Sequence, residues 1–300
     1  VAPWPAADAR ATAWTGWVQR VWADNPQVAD PVAVASPALA VRVEALNAGR
    51  RVDAAAGHRM AMSLARYLVR MRGRATPFGR FAGAAPVRTG EAAQVRWAQD
   101  RLLVLADGQW LAEVIAALEA IPAVRDRLPV VANNLVTPVG DRLVVSWQPH
   151  GAAGAQAEAV EVSVRRTRAV RAALTAAGRE PVLFEDLVRT VTAEIGAADS
   201  APVAQMLGEL LRCGVLISGL RPPSTVTDGL GHLQAVLAEA KAVTVPEAEP
   251  LLTALEGVAD ALADGNQTGR WPGAALREVT GRMTAVAACD QPVQAHLRLG

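Results

Sequence analysis

The sequence predicts an α+β fold on three observations. Residues 54–72 space their apolar side chains as one buried helix face requires. Residues 129–222 run through three short strands, three helical segments and a returning strand with close connections, the order of a winged-helix-like module. From Gly231 the pattern turns helical again until a closing strand at Val293–Leu299. The chain is therefore read as a mixed α/β N-terminal region over 1–128, the embedded module over 129–222 and a helical C-terminal part over 223–300.

The elements follow in order. A helix is expected over about Asp8–Ala23, where Trp14 and Trp17 stand three apart and share a face suited to docking on a core. A proline-punctuated stretch then runs to Leu39. The helix over 54–72 is stopped by Thr76-Pro77-Phe78-Gly79, because proline lacks an amide donor and restricts its predecessor. Short strands are expected at Ala84–Val87, Gln94–Ala98 and Arg101–Ala106, then a helix over about Gln109–Ala120. In the module, Pro138-Val139-Gly140-Asp141 joins the apolar runs Val130–Val136 and Arg142–Trp147, which predicts a hairpin. Gly151–Ala157 reads as a connection, and Glu161–Val164 alternates as a half-buried strand should. Helices follow over about Thr167–Ala177, Phe184–Ile195 and Pro202–Arg212. Gly214 ends the last of them, and Val215–Ser218 returns as a strand. The final part predicts helices over about His232–Ala242, Glu247–Ala263 and Trp271–Ala288. A closing strand with no evident partner after it predicts that these residues are a fragment of a longer chain.

Composition excludes several classes. With 51% hydrophobic and 20% charged residues the chain is globular rather than disordered. Its longest apolar run, Pro31–Val41, is short of a bilayer span and carries two prolines. No basic segment precedes an apolar one as in a secretion signal, which predicts a cytoplasmic protein without a membrane partner. Two cysteines, Cys213 and Cys289, make neither a disulfide framework nor a four-ligand zinc site, and four histidines add no metal-ligand spacing.

The placement of basic residues says more than their number. Lys241 is the only lysine, and eight arginines (50, 51, 59, 66, 70, 72, 74 and 80) fall between Arg50 and Arg80 against the single acid Asp53. That segment carries +7 in a chain of net charge +1, so the remainder sums to −6. At 100° per residue, with Met60 at zero, Leu64, Leu68 and Met71 fall at about 40°, 80° and 20°. Arg59, Arg66 and Arg70 fall at about 260°, 240° and 280°, and Arg74 at about 320° if the turn continued. An arginine row without acids at helical spacing repels itself unless an anion occupies it, and guanidinium forks grip phosphate or carboxylate in a bidentate way. The pattern predicts a polyanionic or carboxylate ligand.

The segment continues Arg66-Tyr67-Leu68-Val69-Arg70-Met71-Arg72-Gly73-Arg74-Ala75-Thr76-Pro77-Phe78-Gly79-Arg80-Phe81-Ala82-Gly83. It resembles a signature of the class I lanthipeptide (lantibiotic) dehydratases, near the start of their N-terminal glutamylation domain. Further fragments occur in family order: Ala35-Ser36-Pro37-Ala38-Leu39, Asp107-Gly108-Gln109-Trp110-Leu111, Ser163-Val164-Arg165-Arg166-Thr167, and Leu211–Ser218 with Arg221-Pro222. The resemblance covers nearly the whole chain.

It implies transfer of glutamate from glutamyl-tRNA onto Ser or Thr of a ribosomally made precursor peptide, in a lanthipeptide or thiopeptide pathway. Elimination to dehydroalanine or dehydrobutyrine would follow, in the same polypeptide or in a partner protein. It implies no cofactor, glutamyl-tRNA being a co-substrate that is already activated, and it admits a homodimer. Carried over by position, Arg70, Arg74 and Thr76 match the two arginines and threonine of the family's glutamylation site, and Asp107 its downstream aspartate. The arginines suit tRNA phosphates, the glutamyl carboxylate or the ester oxyanion. Thr76 suits a phosphate, the acceptor hydroxyl or a turn-closing bond; Asp107 suits an arginine, a hydroxyl proton or the cap of its helix. Arg59, Arg66, Arg72 and Arg80 are expected to bind tRNA. His296 stands where family members often carry a strand aspartate. The module resembles the family's peptide-recognition element, which implies that the leader adds as a strand at Val160, Val162 and Val164 and lies against Leu207 and Leu211.

Two other functions fit parts of the pattern. A related peptide–aminoacyl-tRNA ligase would show the same basic row. A winged-helix DNA-binding regulator would need a recognition helix of base-reading side chains, and Pro202–Arg212 offers only Gln205, Glu209 and Arg212 among apolar residues.

Overall fold

The computed structural model describes residues 3, 5, 11–76, 78–85, 87, 89, 90, 92, 94, 98–145 and 161–299. It is α+β, as expected. The chain forms two compact units: 1–104 with 263–277 and 294–300, and 105–262 with 278–293. The 129–222 module lies wholly within the second.

The first unit opens with four helices, α1 (Ala11–Asp24), α2 (Pro26–Ala35), α3 (Pro37–Asn47) and α4 (Ala54–Gly73). The stretch expected to be merely proline-punctuated is thus two helices. Pro26 and Pro37 each sit in a first turn, where the missing N–H has no partner to lose. Asp53 caps α4, its carboxylate accepting from Ala56 N at 2.6 Å. Trp14, Trp17, Val18 and Val21 of α1 pack on Met60, Ala61 and Leu64 of α4, with Val32 and Val43 closing the core. β1 (Arg101–Ala106) begins in this unit, and its last two residues belong to the second. The strand expected at Gln94–Ala98 falls largely outside the described residues, and the one expected at Ala84–Val87 shows, among its described residues, a single bridge, Ala84 with Arg298.

In the second unit α5 (Gly108–Glu119) and the short α6 (Pro122–Arg125) lead to β2 (Pro129–Ala132), β3 (Thr137–Val139), β4 (Arg142–Val145) and β5 (Val162–Arg165). Then come α7 (Arg168–Ala177), β6 (Val182–Leu183), α8 (Phe184–Ile195), α9 (Ala201–Arg212) and β7 (Leu216–Ser218). The hairpin is shorter than expected. It joins β3 to β4 around Gly140 at φ 59°, while β2 leaves to pair with β6 and β7. Asn133 explains the break. Its Oδ1 accepts from Leu135 N at 2.9 Å, turning the chain, and its Nδ2 donates to Gly214 O at 2.7 Å. β5 pairs with β4 as the third strand of the other sheet, Val164 opposite Leu143. Between them the sheets and helices bury Leu143, Val145, Phe184, Val191, Leu207 and Leu211.

The last part holds α10 (Gly229–Glu239), α11 (Glu249–Thr268), α12 (Gly273–Val286) and β8 (Val293–Arg298). The closing strand does have a partner: β8 pairs with β1. The outer edge of β1 is also occupied. Leu102 N donates to Gly269 O, and the Asn266 side chain accepts from Val104 N and donates to Val104 O, both at 2.8 Å. The turn at 78–84 docks on β8 by backbone bonds, Leu297 N to Gly79 O and Ala84 N to Leu297 O. Gly83 permits that approach, since a Cβ there would stand 2.7 Å from Leu297 O.

A buried polar cluster ties α5 to the segment after β7. Ser218 Oγ donates to Glu119 Oε1 at 2.6 Å, and Arg221 Nη2 lies 3.8 Å from Glu119 Oε2. Burial raises the Glu119 pKa above 4.5, against the pull of Arg221 and Ser218, and burial lowers that of Arg221. The folded state therefore holds the Glu119 proton to higher pH than the unfolded chain, so the carboxyl's contribution to stability falls as pH rises above 4.5. Arg221→Met strands the carboxylate and should cost about 3–5 kcal/mol near neutral pH, with a smaller loss in acid, as read by urea unfolding across pH. Gly83→Ala should cost about 1–3 kcal/mol in the same assay by forcing the turn off β8.

Candidate functional site

Helix α4 has two unlike faces. Met60, Ala61 and Leu64 are buried, Leu68 and Met71 are half-buried, and Arg59, Arg66 and Arg72 are exposed. The helix ends sooner than continuation of its stripe required. Gly73 is its last residue, and Arg74 is extended at φ −123°, ψ 120°, its N–H still bonded to Arg70 O. Arg74 and Thr76 thus lie exposed on an extended segment and bend, and Thr76 Oγ1 closes no turn with a described residue.

Among the described residues no acid comes within ion-pair distance of Arg59, Arg66, Arg70, Arg72 or Arg74. A groove of about 650 Å³ runs along this side, lined by Met62, Arg66, Tyr67, Val69, Arg70 and Arg74 among others. Its lining joins apolar side chains to three arginines, a combination that receives the flat apolar and anionic parts of one ligand. Arg59 and Arg72 do not line it. Arg80 stands apart as well. It pairs with Asp30 at 3.7 Å and lines a separate cavity of about 500 Å³ with Asp100 and Trp271.

Arg70 is half-buried, and its guanidinium carbon lies 4.0 Å over the centre of the Phe78 ring. The reading of the motif as arginines plus threonine missed this aromatic partner. Its signal was present only as a phenylalanine eight residues on, across a proline that no helical period spans. Pro77 itself is outside the described residues.

Asp107 belongs to the second unit and caps α5, its Oδ1 accepting from Gln109 N at 2.7 Å. Of its alternatives the structure realises the cap. His296 is exposed on β8, next to Leu297, whose amide holds Gly79.

In the module Val162 and Val164 are half-buried on β5, and Val160 lies outside the described residues. Leu207 and Leu211 of α9 correct the expectation of a leader contact there. They are 0% and 1% exposed within the module's own core, because α9 must bury one face, and Gln205, Glu209 and Arg212 remain outside. The ladder's phase is fixed by Arg166 N donating to Asp141 O, so the amides of Val162 and Val164 face β4 and those of Ser163 and Arg165 face away. Arg142 reaches over this edge, its Nε and Nη2 donating to Ser163 Oγ and O, each at 2.8 Å.

Comparison with known proteins agrees with this architecture. Residues 24–300 match the family model described as lantibiotic dehydratase, N terminus. The crystal structure of the tRNA-dependent lantibiotic dehydratase MibB from Microbispora sp. 107891 is similar at a TM-score of 0.76 and 28% identity, over 94% of this chain and 28% of that one. The glutamylation domain of TbtB, from thiomuracin biosynthesis, shares the fold at a TM-score of 0.52 and 18% identity, over 95% and 33%. Subtilin biosynthesis protein SpaB of Bacillus subtilis is 27% identical over 173 residues, 57% of this chain and 16% of SpaB. The chain spans about a third or less of the length of each. Matched along nearly all of its residues, the chain belongs to the lantibiotic dehydratase N-terminal family.

Proposed function

We propose that this chain is the glutamyl-transferring part of a tRNA-dependent dehydratase acting on Ser and Thr of a ribosomal precursor peptide in the cytoplasm. The observation that carries the reading is the row Arg66, Arg70 and Arg74, free of ion-pairing acids among the described residues, lining one groove with apolar side chains. Such a row binds phosphate and carboxylate together, and the end of a glutamate-charged tRNA offers both. MibB, similar over 94% of the chain, is named as tRNA dependent.

The chemistry is a transesterification. The peptide hydroxyl oxygen attacks the ester carbonyl of glutamyl-tRNA, a new glutamyl ester forms, and the ribose hydroxyl of the tRNA leaves with a proton. Arginine donors oppose the negative charge that grows on the carbonyl oxygen. The Thr76 hydroxyl, without a described partner, orients a phosphate or the incoming hydroxyl. The aminoacyl ester brings its own activation, so no cofactor enters the reading. Elimination of the glutamate belongs to another domain or a partner protein.

A DNA-reading role is disfavoured by α9 itself, whose Arg212 is clamped to Glu209 at 2.7 Å and whose leucines are in the core. The outer edge of β5, unpaired with any strand among the described residues, fits leader addition better, with Arg142 swinging off Ser163 as the new strand pairs.

Arg70→Ala and Arg74→Ala should each lower glutamyl transfer at least about a hundredfold, read as mass gain on the precursor, with leader affinity unchanged. Retained transfer would refute the site. For the leader, a proline at Val162 would break the protein's own ladder, so the discriminating variant is Ser163→Pro, which removes an outward amide. It should weaken leader binding about tenfold by titration, with the melting temperature held.

A further inference from the structure

Two arginines lie over aromatic rings, Arg70 over Phe78 and Arg125 over Phe184, and among the described residues only Arg125 also has a carboxylate within ion-pair distance, Asp126 at 3.9 Å. Arg80 and Arg212 are fixed by carboxylates, Asp30 and Glu209, which cancel their charge as they fix it. Arg70 instead rests on an aromatic chain. Its guanidinium lies over Phe78, Phe78 stacks on Phe81 with centroids 5.7 Å apart, and Phe81 stacks on Tyr67 at 5.3 Å. Tyr67 is three residues before Arg70 on α4, so the turn's two rings close back onto the helix that bears the arginine. A ring face attracts the cation through its quadrupole and leaves the positive charge in place.

The same packing divides the donors of Arg70. Its Nε is enclosed and has no hydrogen-bond partner among the described residues. A guanidinium can meet an oxyanion side-on, through Nε and one Nη, or end-on, through both Nη groups. With Nε enclosed, the side-on fork is closed and the two Nη groups carry the recognition.

We propose that Phe78, backed by Phe81 and Tyr67, is a positioning residue that fixes the plane of Arg70 so that it grips an oxyanion of the charged tRNA end-on. The inference rests on the functional reading above and adds the part that orients its central cation. Holding the side chain before the ligand arrives removes the rotamer entropy that a free arginine loses on binding.

The test separates this idea from the reading beneath it. In the ¹⁵N-arginine spectrum of the chain, assigned with Arg70→Lys, the Arg70 Nε–Hε signal should be shifted by the ring current and exchange slowly with water. Phe78→Leu should abolish both features and Phe78→Tyr should keep them. In the full-length enzyme, Phe78→Leu should raise KM for glutamyl-tRNA about tenfold and leave KM for the precursor unchanged, with Phe78→Tyr close to wild type. An Arg70 signal indifferent to Phe78→Leu overturns the proposal, as does an unchanged KM for glutamyl-tRNA where Arg70→Ala abolishes transfer. Should Arg70→Ala leave transfer intact, the functional reading itself falls and takes this inference with it.

Discussion

Like charges on one side of α4 are tolerated because its other side is fastened. Arg66 and Arg70 stand one turn apart with no acid between them, a repulsion of a few tenths of a kcal/mol for each such pair. Burial of Met60 and Leu64 against the tryptophans of α1 contributes several times that, at about 1.5–3 kcal/mol for each large side chain. The apolar face thus lets the cationic face exist without internal neutralisation. A carboxylate added beside Arg66 or Arg70 would relieve the helix and occupy the donors that the groove presents.

The segment after α4 extends that logic from charge to geometry. Backbone bonds from the 78–84 turn to β8, allowed by the bare Cα of Gly83, keep Phe78 and Phe81 beside the helix. The arginine is oriented by rings and the rings by a strand from the far end of the chain. A motif that reads as contiguous is therefore completed by a strand residue, Leu297, more than two-thirds of the chain's length away.

That separation explains what was legible. The two faces of α4 could be read because helical periodicity is local, and the tryptophan pair of α1 was legible for the same reason. The three helices and the strands of the module were also visible as patterns. Their pairing was less so. The side chain of Asn133 ended β2 and moved the hairpin on by several residues, and it did so partly through a bond to Gly214, which no local window contains. The partnership of β1 with β8 was hidden by distance along the chain. The buried face of α9 took Leu207 and Leu211 for the core, a choice periodicity permits but cannot direct. Resemblance supplied the arginines and the threonine of the motif; the cation–ring contact that orients Arg70 needed the folded turn.

The contacts along β1 carry one more consequence. Its outward peptide groups at Leu102 and Val104 are spoken for by Gly269 and by the amide of Asn266, which imitates a neighbouring strand with a side chain. An uncovered strand edge is a template for adventitious pairing between molecules. Here a helix terminus shields that margin of a two-stranded sheet, so one asparagine serves as protection against self-association as well as a brace.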